Sequence, residues 1–242
     1  MLGLGGAATV AEPEDGASAT ERGDHPVGNA ADLRFECRES RHHHLMVIDS
    51  LLEFHEVSLD GRTVVLEVSN RVVLLDRDGV LNVDRTDSVI TVEGLEVVAG
   101  AVEATAALRA AGYELLVVTN QSMVGRGRLT LDALHTINSE LDRRLGNSLR
   151  GFHLCPHTPE IGCACRKPGT LLLEQARVAW PFEPAATWFV GDAPRDIEAA
   201  RRVGVQPALV RTGKGAVTER DHPDVPVWDD LAAFAGWLLA RP

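Results

Sequence analysis

Residues 72–78, Val-Val-Leu-Leu-Asp-Arg-Asp, followed by Gly79, decide the fold of this 242-residue chain. The aliphatic run predicts a fully buried strand. It ends in two carboxylates two positions apart, Asp76 and Asp78. Ligands of α/β sheets bind at the carboxyl ends of strands, so the two acids are candidate catalytic groups. A solvated turn after a strand would give the same short pattern, and the rest of the chain has to decide between these two interpretations.

Three further apolar segments are followed or preceded by polar clusters in a fixed order. They are Leu115–Val118 before Thr119-Asn120-Gln121-Ser122, then Cys165-Arg166-Lys167-Pro168 before an apolar helix-like stretch, then Trp188–Val190 before Gly191-Asp192 with Asp196 four residues on. Four motifs in this order resemble the haloacid dehalogenase superfamily of aspartate-nucleophile phosphotransferases. The resemblance covers residues 71–215, and a final strand and helix up to Leu239 complete the same predicted domain.

The pattern after residue 71 alternates between short apolar runs and longer helical periods. Strands are predicted at 72–75, 114–118, 152–154, 187–190, 206–210 and 225–228, and helices at 100–111, 130–145, 169–179, 194–203 and 230–240. This alternation predicts an α/β fold, a Rossmann-like parallel sheet with helices on both faces. Asp76 to Thr119 spans 119 − 76 = 43 positions, and Thr119 to Lys167 spans 48. Neither gap has room for a large cap domain, so an open active site is expected.

Composition divides the chain into three parts. Residues 1–40 hold six Gly, seven Ala and eight acids against three Arg, without apolar periodicity. Such a stretch buries too little apolar surface to offset its ordering entropy, so 1–44 is predicted to be a disordered N-terminal extension. Alternating apolar residues around Asp60-Gly61 predict a hairpin-like addition at 45–70, placed at an edge of the main sheet. Residues 71–242 form the predicted phosphatase-like domain.

The bulk composition limits the partners of the chain. A net charge of −11 argues against nucleic acids and anionic membranes. No apolar run approaches the about 18–20 residues that cross a bilayer. The first residues lack the basic start and apolar core of a secretory signal. We expect a cytoplasmic monomer, and the resemblance implies a small phosphorylated sugar as its substrate.

The resemblance implies a division of labour between the first two acids. Asp76 is then the nucleophile that forms an aspartyl-phosphate. Asp78 then protonates the leaving alkoxide and afterwards activates water. Two carboxylates repel a phosphate, so a hard divalent cation is required, and Mg²⁺ suits carboxylate, water and phosphate oxygens. The resemblance assigns it to Asp76, the backbone carbonyl of Asp78, and Asp192.

Substrate contacts are predicted at Thr119, Asn120, Arg166 and Lys167. Thr119 ends a strand, where its hydroxyl can hold phosphoryl oxygens. Lys167 supplies a fixed positive charge beside Asp76, and Pro168 after it favours a fixed loop. Three interpretations of Asp196 remain open: it orients Asp192, binds metal, or is a charge at a helix N-terminus.

A second metal site is predicted between the second and third motifs. Cys155, His157, Cys163 and Cys165 follow the pattern C-x-H-x5-C-x-C. Three thiolates and one imidazole match a tetrahedral structural zinc site. The alternative is a loop of free thiols. Because protein groups fill all four positions, Zn²⁺ is expected to hold the loop that leads into Lys167 rather than take part in catalysis.

The zinc-bound loop narrows the resemblance to two phosphatase groups. One removes the C7 phosphate of D-glycero-D-manno-heptose 1,7-bisphosphate, and the other hydrolyses histidinol phosphate. The stretches 76–84, 118–122 and 209–214 resemble the heptose group more, although Met123 and Ala193 depart from its pattern. Histidinol phosphatase remains the alternative enzyme. A non-catalytic binding protein on the same fold is the alternative from another class.

Overall fold

The computed structural model describes residues 54–59, 62–67 and 71–241. Its eight strands are β1 Phe54–Leu59, β2 Arg62–Glu67, β3 Val72–Leu75, β4 Glu114–Asn120, β5 Gly151–Cys155, β6 Trp188–Gly191, β7 Gln206–Val210 and β8 Val227–Trp228. Six of them form one sheet in the order β5-β4-β3-β6-β7-β8, and every neighbouring pair is parallel. The predicted parallel sheet is confirmed.

Helices cover both faces of this sheet. The seven α-helices of the described residues are α1 Ala101–Ala110, α2 Ser122–Gly125, α3 Leu131–Arg144, α4 Leu171–Ala179, α5 Pro194–Arg202, α6 Gly215–Asp221 and α7 Leu231–Leu239. Buried residues of α1, α3 and α7 share one apolar cluster, and those of α4 share another with two alanines of α5. The sheet therefore separates two helical layers, as in other α/β folds.

The central strand shows why this sequence folds this way. All four residues of β3 are buried. Val73 and Leu75 belong to the cluster with α1, α3 and α7, whereas Val72 and Leu74 belong to the cluster with α4 and α5. Successive side chains of a strand point to opposite faces, so a strand covered on both sides needs a continuous apolar run.

The first two strands correct one expectation. β1 and β2 pair antiparallel, with Val57 opposite Val64, and they form a two-stranded sheet of their own. The expectation that this segment extends the edge of the main sheet is therefore wrong. Alternating residues specify a hairpin locally, but they do not specify which sheet the hairpin joins. The predicted extension at 1–44 lies outside the described residues.

The limits of the main elements lie close to those predicted, with three differences. The last strand begins at Val227 instead of Val225, because Pro226 has no N–H group for a strand ladder. The short helices α2 and α6 were not predicted. Segments of four and seven residues are too short to show a helical period.

No cap domain interrupts residues 71–241 in the structure. The 25 residues 76–100 between β3 and α1 contain only two isolated bridges, Asp78 with Asn82 and Asn82 with Val97. Among the described helices, none is both long enough and apolar enough to cross a membrane.

Candidate active site

Three neighbouring strands bring predicted site residues to one edge of the sheet. β3 lies between β4 and β6, and β7 follows β6. Asp76 comes directly after β3, Thr119 and Asn120 end β4, and Asp192 comes directly after β6. Because these strands are parallel, their carboxyl ends meet at the same edge.

Asp76 is buried, with 2% of its surface exposed. Its Oδ1 atom forms an ion pair with Lys167 Nζ at 2.9 Å and accepts a hydrogen bond from the backbone N–H of Arg77 at 2.7 Å. Within residues 71–241, the second oxygen, Oδ2, has no such donor, and the Arg195 guanidinium is 3.6 Å from it. One oxygen is therefore fixed in place, and the other is available for bond formation.

The ammonium group of Lys167 is buried and has three oxygen neighbours. It contacts Asp76 Oδ1 at 2.9 Å, Asp196 Oδ1 at 2.7 Å and the carbonyl oxygen of Val118 at 2.7 Å. The Asn120 amide holds its backbone, since Asn120 Oδ1 accepts from Lys167 N at 3.0 Å and Nδ2 donates to Lys167 O at 3.1 Å. Asn120, predicted to bind substrate, thus positions Lys167 directly.

Asp196 contacts both the lysine and the helix start. Its Oδ2 atom accepts a hydrogen bond from the backbone N–H of Ala193 at 3.0 Å, just before α5 begins. Its Oδ1 atom pairs with Lys167 Nζ. Of the interpretations that were open for Asp196, the geometry therefore favours an acid at a helix N-terminus, and that acid also fixes Lys167.

Three buried acids form a group suited to a hard cation. Asp76, Asp192 and Asp196 each offer an oxygen, and these atoms lie within 4.8 Å of one another. Asp192 Oδ2 accepts from Lys214 N at 2.8 Å, but Asp192 Oδ1 is buried and has no hydrogen-bond donor among the described residues. Burial raises the pKa of Asp76, and burial with the charges of Asp76 and Asp196 raises the pKa of Asp192 to about 7. Carboxylates held this close need a compensating cation, and Mg²⁺ fits this oxygen donor set.

Asp78 is held by donors on both carboxylate oxygens. Arg77 donates to Oδ1 at 2.8 Å and Oδ2 at 3.1 Å, Asn82 donates to Oδ1 at 2.9 Å, and Gln121 donates to Oδ2 at 2.8 Å. Burial alone would raise the pKa of Asp78. The charge and hydrogen bonds of Arg77, with those of Asn82 and Gln121, outweigh burial and lower this pKa below its ordinary value.

Gln121 joins Asp78 to the predicted phosphate-binding threonine. Its Nε2 atom also donates to Thr119 Oγ1 at 2.9 Å. The hydroxyl oxygen of Thr119 is thereby an acceptor, which leaves its proton free for another group. A phosphoryl oxygen at the end of β4 can take that proton.

A cavity of about 150 Å³ lies beside these groups. Its lining includes Asp78 and Asn120 together with three cations, Arg166, Arg195 and Lys214. Lys214 Nζ pairs with Asp84 at 2.6 Å, and Arg195 faces the acids. Arg166 donates to the carbonyl oxygen of His157 at 3.2 Å and has no carboxylate within 4.0 Å in the described part of the chain.

The predicted zinc ligands come together in the loop after β5. Cys165 Sγ is 3.3 Å from both Cys155 Sγ and Cys163 Sγ, and 3.2 Å from His157 Nδ1. Metal–ligand bonds of about 2.0–2.3 Å in a tetrahedral zinc site place ligands about 3.5 Å apart. Burial raises the pKa of the Cys155 thiol, so a cation is needed to hold it as a thiolate. The cluster could bind Zn²⁺.

Three of the polar residues in this site were not predicted as site residues: Arg77, Gln121 and Arg195. The first two lie inside quoted motifs, and only the structure shows which neighbours they contact. Arg195 had a detectable signal. It lies in the first turn of α5, where the helix dipole favours acids over cations, so a cation there indicates local carboxylates.

Comparisons with known proteins agree with this geometry. A family model described as HAD-hyrolase-like matches residues 164–234. A Pseudomonas aeruginosa protein named D-glycero-beta-D-manno-heptose-1,7-bisphosphate 7-phosphatase is 40% identical over 177 aligned residues, covering 71% of this chain and 99% of the relative. A Neisseria meningitidis protein of the same name is 39% identical over 177, covering 70% of this chain and 95% of the relative.

A solved structure is similar as well. The D,D-heptose 1,7-bisphosphate phosphatase from B. bronchiseptica, crystallised with magnesium and phosphate, has a TM-score of 0.67 and 34% identity, covering 70% of this chain and 98% of that one. Sequence relatives, fold and the acids at the sheet edge all lead to one conclusion: this chain is a phosphatase that belongs to the haloacid dehalogenase-like family, in the same group as these relatives.

Proposed function

We propose that this chain removes the C7 phosphate of D-glycero-D-manno-heptose 1,7-bisphosphate through an aspartyl-phosphate on Asp76, with Mg²⁺ bound. The relatives that cover most of the chain carry this activity in their names. The similar B. bronchiseptica structure contains magnesium and phosphate. The reaction type is supported by the different surroundings of the two Asp76 carboxylate oxygens. Lys167 pairs with Oδ1, whereas Oδ2 has no hydrogen-bond donor among the described residues.

In the first step, Asp76 Oδ2 attacks the phosphorus atom. The bond between phosphorus and the sugar oxygen breaks, and that oxygen takes the proton from Asp78. In the second step, Asp78 removes a proton from water, which attacks the phosphorus and releases inorganic phosphate from Asp76. When bound, Mg²⁺ would be held by Asp76, the backbone carbonyl of Asp78, and Asp192, and would offset their repulsion of the phosphate.

Asp78 must carry a proton before the first step. Its present contacts with Arg77, Asn82 and Gln121 favour the ionised form, which suits the second step. An arriving phosphate brings negative charge beside Asp78 and raises its pKa through like-charge repulsion. Substrate binding therefore supplies the protonated acid that the first step uses.

A cation without a close ion pair supports a bisphosphate substrate. Arg166 lines the cavity without a carboxylate partner in residues 71–241, whereas Lys214 and Arg195 both face acids. An arginine can bind a phosphate with two parallel hydrogen bonds. Ser122, in the same cavity, offers no carboxylate for the ammonium group of histidinol. Arg166 is thus our candidate for the second phosphate.

The test compares catalytic efficiency for the two substrates. The wild type should have a higher kcat/KM for the heptose bisphosphate than for histidinol phosphate. Arg166→Ala should raise KM for the bisphosphate by about tenfold and leave KM for a small monophosphate nearly unchanged. Arg177→Ala, on α4 and outside the cavity lining, is the matched control. Tenfold more efficient turnover of histidinol phosphate would overturn the substrate assignment and leave the phosphatase chemistry intact.

We further infer that Zn²⁺ occupies the cysteine–histidine cluster and that the chain works as a cytoplasmic monomer. The first inference is supported by the ligand spacing of Cys155, His157, Cys163 and Cys165. Metal analysis of the purified protein tests it, and sedimentation equilibrium tests the monomer. One Zn²⁺ per chain and a mass near 26.1 kDa are the expected results.

A further inference from the structure

Arg195 lies between the acids and the cavity. Its NH2 atom is 3.6 Å from Asp76 Oδ2 and 3.9 Å from Asp192 Oδ1, and its Nε atom is 4.0 Å from Asp196 Oδ1. The side chain lines the cavity and is 30% exposed. One guanidinium therefore balances three buried carboxylates from the solvent side of the group.

The contacts of Arg195 differ in kind from those of Lys167. The lysine ammonium touches Asp76 and Asp196 at 2.9 and 2.7 Å, within hydrogen-bond distance. The arginine distances of 3.6–4.0 Å exceed that limit, and Arg195 Nε has no hydrogen-bond acceptor among the described residues. Charge attracts Arg195 to the acids, but no hydrogen bond fixes it there.

Arg195 also faces the acids that are the candidate metal ligands. Asp192 Oδ1 is buried without a hydrogen-bond donor among the described residues, and the Arg195 guanidinium is 3.9 Å from it and 3.6 Å from Asp76 Oδ2. A divalent cation held by these acids would repel Arg195. The open direction for the side chain is the cavity that it already lines.

We propose that Arg195 couples the two ligands of this site: it weakens Mg²⁺ binding to the acids and strengthens phosphate binding in the cavity. The inference rests on the proposed function, since it takes the acids as the metal ligands. The positive charge of Arg195 opposes the binding of a divalent cation at the carboxylates. Once that cation is bound, the guanidinium turns to the cavity and donates to the phosphate, a geometry that arginine suits.

Opposite effects on the two ligands test this role. Isothermal titration calorimetry measures Mg²⁺ binding in the absence of phosphate, and inorganic phosphate binding at saturating Mg²⁺. Arg195→Gln should tighten Mg²⁺ binding on the order of tenfold, the size expected for charges of one and two units about 5 Å apart in a largely aqueous dielectric. The same variant should weaken phosphate binding at least about fivefold.

Two further variants control for structural damage. Arg195→Lys keeps the charge, so its Mg²⁺ affinity should stay within about twofold of the wild type. Arg201→Gln, on the same helix, removes an arginine that pairs with Asp224 away from the site, and it should change neither affinity. If Arg195 only supports the fold, Arg195→Gln should weaken the binding of Mg²⁺ and of phosphate together.

The outcomes separate this inference from the proposed function. If the wild type binds Mg²⁺ and Arg195→Gln binds it equally or more weakly, the coupling role of Arg195 is wrong and the phosphatase proposal stands. An unchanged phosphate affinity in Arg195→Gln would likewise show that the coupling role is wrong, and the phosphatase proposal would stand. If the wild type binds no Mg²⁺, the proposed function fails and this inference fails with it.

Discussion

Single side chains in this site serve several neighbours at once. Lys167 contacts two carboxylates and one backbone carbonyl, and Gln121 bridges Asp78 and Thr119. Buried polar groups of this kind are costly unless their hydrogen bonds are satisfied. The two acids of the first motif are consequently fixed differently: Asp76 by an ammonium, Asp78 by a guanidinium and two amides.

Asparagine at either acid should separate their roles. Asp76→Asn removes the nucleophile, so turnover should fall below detection. Asp78→Asn keeps the nucleophile but loses the proton donor, and kcat should fall about 10²–10⁴-fold, the usual contribution of acid–base catalysis. Steady-state phosphate release with Mg²⁺ measures both effects. A near-normal rate in either variant would remove that residue from its assigned role.

Elements position these side chains, and the loop between β5 and Lys167 is one example. It contains three of the four predicted zinc ligands, follows directly on the fourth, Cys155, and ends in Arg166 and Lys167. A metal that closes this loop would restrict where the lysine can lie. Loss of a ligand should therefore affect stability and activity together.

Cys163→Ser tests this coupling. We expect less bound zinc, a lower melting temperature and a lower kcat, because the loop that carries Lys167 loosens. Atomic absorption, thermal denaturation and phosphate release give the three values. Cys37→Ser changes the one cysteine outside the cluster and is the matched control, with no expected effect. Full activity in zinc-free Cys163→Ser would contradict the coupling.

An ion-pair network ties three elements together at the other edge of the sheet. Glu114, which begins β4, contacts Arg109 near the end of α1 and Arg150 just before β5. Burial alone would raise the pKa of Glu114, but the hydrogen bond from Arg150 and the charges of both arginines lower it below 4.5.

Glu114→Gln should cost about 1 kcal/mol of unfolding free energy near neutral pH, the upper range for partly exposed pairs. The folded state favours the ionised form, so this stability is present above the unfolded pKa and is lost as pH falls through the lower folded value. Denaturant titrations at pH 7 and at pH 3–4 measure it. The difference between wild type and variant should shrink at the lower pH, and a constant difference would rule out the ionic origin.

Most of the fold and the acids of the site were predictable, and the reasons are local. A buried strand such as β3 has a continuous apolar run, and the motifs indicated Asp76, Asp192 and the four residues of the cysteine–histidine cluster, which the structure brings together in two groups. The separate sheet of β1 and β2 was not predictable, because alternating apolar residues indicate a strand but do not specify which sheet it joins. Arg195 was missed because its role depends on three acids that come together only in the folded chain.

The residues of the four motifs all lie between positions 76 and 196 of the chain. The Pseudomonas aeruginosa relative is covered to 99% by 71% of this chain, so over a quarter of the chain has no counterpart there. None of the proposed catalytic or metal-binding residues falls in residues 1–44. Catalysis should therefore not depend on that segment.

A variant that begins at residue 45 should keep its kcat within about twofold and its melting temperature within a few degrees. The reason is that residues 1–44 contain no motif residue and no apolar periodicity. Thermal denaturation and phosphate release on the two purified proteins measure the effect. A larger fall in melting temperature would mean that residues 1–44 pack on the domain.

A covalent phosphate on Asp76 is the intermediate of the proposed reaction, and chemical trapping detects it. Wild-type protein is mixed with substrate and Mg²⁺, quenched within the first turnover and reduced with borohydride, which converts an aspartyl-phosphate to homoserine. Peptide mass spectrometry should find homoserine at position 76 only when substrate was present, and never in Asp76→Asn. Homoserine at Asp78 or another acid, or product release in the first turnover without any covalent phosphate on Asp76, would contradict the account.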